Sequence, residues 1–255
     1  MNSPTSQMPE PPSPDAIVVG PGLSEAERVI DTFVAPSKTF TDIRRNASWW
    51  VPFVISSIFA IGFFIAVDKK VGFEEVAQRM FANNNAIQQL PEAQRDQLIT
   101  RTAFGFKVST YIGPIFLLIS AVIIAAILMA TFNFILAAEI SFSRALAIVM
   151  YGWLPNVVAS LLAIITLFFG NPEGFRMDNP VGTNIAYFMD PASTSKFLHA
   201  FLMTFDVISW WVVILVGMGF ALNSKKKLSI GSGIGTVAVW FLIYKLAAAA
   251  LASLR

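Results

Sequence analysis

The chain has 255 residues, 55% of them hydrophobic and 13% charged, with a mean hydropathy of +0.64. Soluble domains carry about 25% charged residues, so an ordinary water-soluble globule is excluded. Eighteen basic against sixteen acidic residues leave a net charge of +2, too even for a nucleic-acid surface. The lack of cysteine excludes disulfides, thiolate metal sites and cysteine nucleophiles, and a single histidine excludes any site that needs two. No cofactor and no metal are expected.

Residues 1–22 hold Pro4, Pro9, Pro11, Pro12, Pro14 and Pro21 with Glu10 and Asp15. They lack the basic start and early apolar run of a secretory signal and read as a disordered tail. Residues 23–46 change character. Ser24 followed by Glu27 fits a capping box, after which Ile30, Phe33 and Val34 share one helix face. Pro36 ends that helix and Ser37 is placed to cap a second. Phe40 and Ile43 are spaced to face the membrane, Arg44 and Arg45 fall at headgroup level, and Trp49 and Trp50 follow where aromatic belts occur. The segment is expected to be amphipathic and to lie in the membrane interface.

Residues 47–254 form the expected membrane domain. Four intervals free of charge, between Arg45 and Asp68, Lys107 and Glu139, Arg144 and Glu173, and Asp206 and Lys225, and a fifth apolar stretch interrupted by Lys245, mark five spans near 49–67, 111–138, 145–169, 203–222 and 231–253, where a crossing needs about 20 mostly apolar residues. Lipid offers backbone groups no partners, so each must be helical, and the fold class is an all-α integral membrane bundle. Residues 68–107 form a polar insert with room for two helices, one over about 73–83 and one starting at Pro91. Glu139 to Arg144 is short enough to make spans two and three an antiparallel hairpin. Residues 170–198 are irregular, with Asn171-Pro172, Asn179-Pro180 and Asp190-Pro191 each opposing helix. The link from Asn223 to Ile230 holds Lys225, Lys226 and Lys227. Lysine and arginine are nearly equal in number on the two sides. Their density before span one and in the last link favours a cytoplasmic N-terminus and an outside C-terminus.

Several pieces together resemble the bacterial Yip-domain proteins: Ala35-Pro36-Ser37-Lys38-Thr39-Phe40, Ser48-Trp49-Trp50-Val51-Pro52-Phe53, Ser141-Phe142-Ser143-Arg144, Trp153-Leu154-Pro155, Phe205-Asp206-Val207-Ile208-Ser209-Trp210, Gly217-Met218-Gly219-Phe220 and Trp240. The resemblance covers roughly residues 24–254. It implies five membrane spans after a cytoplasmic entry segment, in a bacterial inner membrane. Eukaryotic members associate with small Rab GTPases. The short loops and acidic, proline-rich tail here are of the bacterial kind, so the resemblance speaks to fold and topology.

Few residues carry chemistry. Gly231-Ser232-Gly233-Ile234-Gly235 follows no strand, which excludes a dinucleotide loop. Small residues there, at Gly217 and Gly219, and at Ala247 to Ala250 read as close helix packing. His199 reads as a solvated loop side chain, and Ser160 as bonded to its own helix backbone. No serine has a histidine and an acid in a plausible context, so no hydrolase triad and no catalytic residue are expected. Pro155 predicts a mid-span kink with Asn156 beside it, and Asn133 predicts hydrogen bonding between helices. Asp206 and Lys245 are charges at membrane depth. Asp206 lies sixteen residues before Leu222, about 24 Å, and Lys245 fourteen residues after Gly231, about 21 Å, so a pairing between them is expected. The expected function is non-enzymatic: a membrane-organising or adaptor protein that meets a protein partner through its cytoplasmic face. The alternative is a small transporter or channel subunit with a polar path near Pro155, Asn156 and Asp206. The expected partners are the lipid bilayer, a protein and possible further copies of the chain.

Overall fold

The computed structural model describes residues 21–82, 84–170, 174–190 and 193–253. The expected tail therefore falls almost wholly outside the described residues. Eleven α-helices appear among them: α1 Glu25–Val34, α2 Pro36–Asp42, α3 Trp50–Lys70, α4 Phe73–Ala82, α5 Asn85–Gln88, α6 Glu92–Leu136, α7 Phe142–Gly152, α8 Pro155–Phe169, α9 Lys196–Leu202, α10 Val207–Asn223 and α11 Ile230–Ser253. The described β-structure is a single bridge between Asn184 and Asp206.

The capping box at Ser24 forms in both directions: the Glu27 N–H donates to Ser24 Oγ at 3.2 Å and the Ser24 N–H to Glu27 Oε2 at 2.7 Å. These bonds hold the exposed Glu27 carboxyl below its usual range. Pro36 does not merely stop α1. It occupies the first turn of α2, where its missing N–H costs nothing, and Ala35 rather than Ser37 is the cap. Helix α2 turns its apolar side to protein. Phe40 and Ile43 are fully buried against α10 and the rest of the bundle, while Ile30 and Val34 of α1 stay exposed.

Helix α3 ends at Gly72, whose φ of +87° lets its N–H turn back to the Val67 carbonyl at 3.1 Å. The largest departure from the sequence reading is α6. The helix that starts after Pro91 and the second span are one element of 45 residues, about 67 Å long. Gly105, Gly113 and Pro114 do not break it, because neighbouring groups in such helices satisfy what a proline frees. The N-terminal half of α6 carries α4 through Ala103 and Phe106, which pack with Phe73, Val76, Val67 and Leu167.

Helix α6 stops at Ala137 and Glu139, both in the left-handed region at φ 51° and 53°. The third span is not one kinked helix. It breaks at Trp153 and Leu154, and Pro155 starts α8 at its first position. Helix α10 begins at Val207 and has 17 residues, apolar but shorter than the helices long enough to cross a membrane. Four helical stretches are long and apolar enough to cross a membrane: Trp50–Lys70, Glu92–Leu136, Phe142–Phe169 and Ile230–Ala252.

The core lies where α2, α6, α7, α10 and α11 meet. Phe132 and Phe220 stack there at 4.6 Å between ring centres, beside buried Ile148, Leu154 and Val216. Close approach depends on glycine. A Cβ on Gly217 would stand 2.6 Å from the Ile234 nitrogen, and one on Gly219 2.8 Å from a ring carbon of Phe40. Of the 231–235 glycines, Gly233 packs this way against α10, whereas Gly231 and Gly235 face open space.

Candidate functional site

The two ends of the bundle differ in chemistry, and the end away from Lys225 holds a polar cavity. Asp206 begins it. As the cap of α10 it accepts the Ser209 N–H at Oδ1, 2.7 Å away, and the Thr183 hydroxyl at Oδ2. The Val207 N–H donates to the Thr183 carbonyl at 3.0 Å. Asn179 and Asn184 exchange side-chain bonds of 3.2 and 2.7 Å, and Asn184 also accepts the Tyr187 N–H to start a 3₁₀ turn over Ile185–Phe188. The 179–187 loop is thereby fastened to the start of α10. With α8 and α11 it borders an open cavity of about 260 Å³ lined by Asn156, Ser160, Asp178, Thr183, Asp206, Ser209 and Lys245, among others.

The structure brings Asn156, Asp206 and Lys245 to this one cavity, and it adds Asn179, Thr183 and Asn184. These three came from a loop whose Asn-Pro pair reads as a helix breaker and carries no sequence sign of a site. Asp206 is a helix cap and not a mid-span charge, as its φ of −102° and ψ of 124° show. Among the described residues no ion pair joins Asp206 to Lys245. Both carboxylate oxygens of Asp206 are turned to Ser209 and Thr183, and the Lys245 ammonium lies 5.6 Å over the Phe241 ring. Pro155 is buried outside the cavity lining. The Asn156 carbonyl accepts the Ser160 hydroxyl at 3.0 Å, the backbone bond expected of that serine. Asn133 serves a turn and not a second helix: its side chain accepts the Ile140 N–H at 2.8 Å and donates to the Ile140 carbonyl at 2.9 Å.

His199, expected in solvent, is 9% exposed on α9. Burial pulls its pKa below the usual histidine range, and nearby Arg176 adds to this against the opposing pull of Asp178 and the Ala186 carbonyl.

The opposite end is basic. Arg44 donates to the Ser224 carbonyl at 3.2 Å, and its own carbonyl accepts the Arg144 guanidinium at 3.1 Å. The Lys225 N–H donates to Ala138 O at 2.8 Å, and the Lys225 ammonium pairs with Glu139 at 3.0 Å. Three segments far apart in sequence are thus joined, leaving Lys38, Arg45, Lys225, Lys226 and Lys227 exposed. Trp49 stacks edgewise on Phe53 at 6.0 Å, and Trp50 is exposed at the start of α3. Behind Arg44, Arg28 is buried and bonded to Asp42 by Nε at 2.8 Å and Nη2 at 2.6 Å. Burial alone would lower its pKa, but the Asp42 carboxylate holds it above the usual arginine range. Thr32 and Thr39 donate to the Arg28 carbonyl, and buried Tyr151 donates to Glu25 at 2.7 Å.

A family model of the Yip1 domain matches residues 30–249, from within α1 to the last turns of α11. The chain belongs to the Yip1 domain family. No curated protein and no solved structure matches it. With its four long apolar helices, this Yip1 protein is a multi-pass membrane protein. The Yip1 match takes in both the cavity and the basic end, while Glu25 and Arg28 lie just before it.

Proposed function

We propose that this Yip1 protein is a non-enzymatic membrane-organising or adaptor protein. In this reading it crosses a bacterial inner membrane five times, with α10 as the short fourth crossing, the N-terminus inside and the C-terminus outside. Helix α10 is about 26 Å long, and one more turn or a local thinning of the bilayer covers the remainder. The observation that carries the reading is the fixed basic face. Arg44 ties the entry hairpin to the first turn of α7 and the α10–α11 link, so the cations around it are held in place before any partner arrives. Glu139 offsets one of these cations, and the preorganised positive excess that remains selects a partner with an acidic surface. A photo-crosslinking residue at Lys226 in native membranes tests this. A discrete adduct with a second protein, lost when Lys225, Lys226 and Lys227 are all changed to Glu, is the expected result. Adducts that are unchanged by the charge reversal overturn it.

A second reading, a small transporter or channel subunit, is favoured by the meeting of Asn156, Asp206 and Lys245 in one cavity. Polar groups of several helices converging on one cavity are what a substrate path needs. Uptake of labelled solutes by cells with and without the protein separates it from the adaptor reading.

A further inference from the structure

We propose that the cavity between α8, α10, α11 and the 179–187 loop is a binding site for a small zwitterion. In it the ammonium of the ligand meets Asp206 and the anionic group meets Lys245. The proposal concerns binding alone. It holds whether or not a solute passes through the bundle, and it is independent of the basic face at the other end.

Three charged side chains line the cavity; Asp178 is paired with Arg176 at 2.6 Å, and the two that remain, Asp206 and Lys245, do not satisfy each other. Asp206 is held by the Ser209 N–H and the Thr183 hydroxyl, so its carboxylate is not free to swing toward Lys245. It keeps lone pairs to spare, since a carboxylate offers about four acceptor sites. Among the described residues nothing donates to or accepts from the Lys245 ammonium, whose neighbour is the face of Phe241 at 5.6 Å. A lysine within an apolar helix normally finds a counter-charge. A gap between a fixed anion and an unpaired cation is the complement of a ligand that carries both charges.

Charge balance decides the class. A zwitterion brings no net charge into a low-dielectric site and pairs both groups at once. A singly charged solute pairs one and leaves the other half-buried without a partner. The carboxamide of Asn156 and the hydroxyls of Ser160 and Ser209 complete a lining suited to a polar ligand. Size sets the limit. A cavity of about 260 Å³ lies just below the ~300–1,000 Å³ of drug-sized sites. It suits a solute of amino-acid size, or the ethanolamine headgroup of a phospholipid, which has the same pair of charges.

The test uses the full chain in discs of phosphatidylglycerol, melted in rising concentrations of glycine, alanine and taurine. At least one should raise Tm saturably, whereas N-acetylalanine and alaninamide, each with a single charge, should not. Lys245→Met should weaken the apparent affinity about tenfold or more. Asp206→Asn, which keeps the capping oxygen, should do the same. Discs containing phosphatidylethanolamine separate the two sources. If that lipid raises Tm and removes the effect of the free zwitterions, the occupant is a headgroup; if the free zwitterions still act, it is a solute. The proposal is overturned if neither the zwitterions nor the lipid changes Tm, if the singly charged analogues act equally, or if Lys245→Met binds at full affinity.

Discussion

Arg28 and Asp42, fourteen residues apart in sequence, meet inside the protein with Nη2 2.6 Å from Oδ2 and with each side chain almost wholly buried. The pair closes the α1–α2 hairpin from within. Its first consequence is for stability. Arg28→Met leaves a buried carboxylate without its partner, and Asp42→Leu leaves a buried guanidinium. Each should cost about 3–5 kcal/mol, while the double variant should cost less than the sum. Melting of the four purified proteins in detergent gives the cycle, and additive losses would refute the coupling.

The orientation can be read directly, because the natural chain has no cysteine. Lys226→Cys on the basic end and Ser193→Cys on the opposite loop are both exposed positions. An impermeant maleimide should label Ser193→Cys in intact cells and Lys226→Cys after permeabilisation. The reverse pattern inverts the topology.

Glycine at the α10–α11 crossing makes a sharp contrast. Gly217→Ala places a methyl group 2.6 Å from the Ile234 nitrogen and should destabilise by about 1–3 kcal/mol through forced separation of the helices. Gly235→Ala, with nothing within 4 Å, should be neutral or stabilising by up to about 1 kcal/mol from helix propensity. Detergent melting that finds the two variants alike would remove the crossing as a packing constraint.

His199 gives the pH dependence. Its folded pKa lies below the value near 6.5 of an exposed histidine, so the unfolded chain binds the proton first as pH falls. Stability should therefore be full above about pH 6.5 and decline as pH drops from there toward the folded value. As the chain has no other histidine, His199→Gln should flatten the change in Tm between pH 7.5 and 5.5. An unchanged slope in the variant would show that carboxylates cause it.

How much of this was legible depended on how local the cause was. The span near 49–67 became Trp50–Lys70 and that near 231–253 became Ile230–Ser253, because long, predominantly apolar runs admit one solution in lipid. The capping box at Ser24 was readable because both of its partners lie within one turn. The length of α6 was not: residues 68–107 read as a polar insert separate from the span near 111–138, yet a change from polar to apolar sequence does not by itself end a helix, and Glu92–Leu136 runs through it. The start of α10 was readable in principle, since Asp206 three residues before Ser209 is a strong N-cap signal; reading it as an intramembrane charge hid this. The Arg28–Asp42 pair, the Arg44 bonds and the loop residues Thr183 and Asn184 depend on tertiary contacts that no spacing announces.

The unbroken course of α6 has a further result. Because Ala103 and Phe106 hold α4 on the same rod whose other end stacks Phe132 on Phe220, the outer unit is set in height and in angular phase by residue count. One residue inserted between Lys107 and Gly113 lifts α4's docking face by about 1.5 Å and swings it by about 100°. Seven residues restore the phase to within about 20° and only raise it. The helix is thus a ruler that tolerates change in whole heptads and not in single steps.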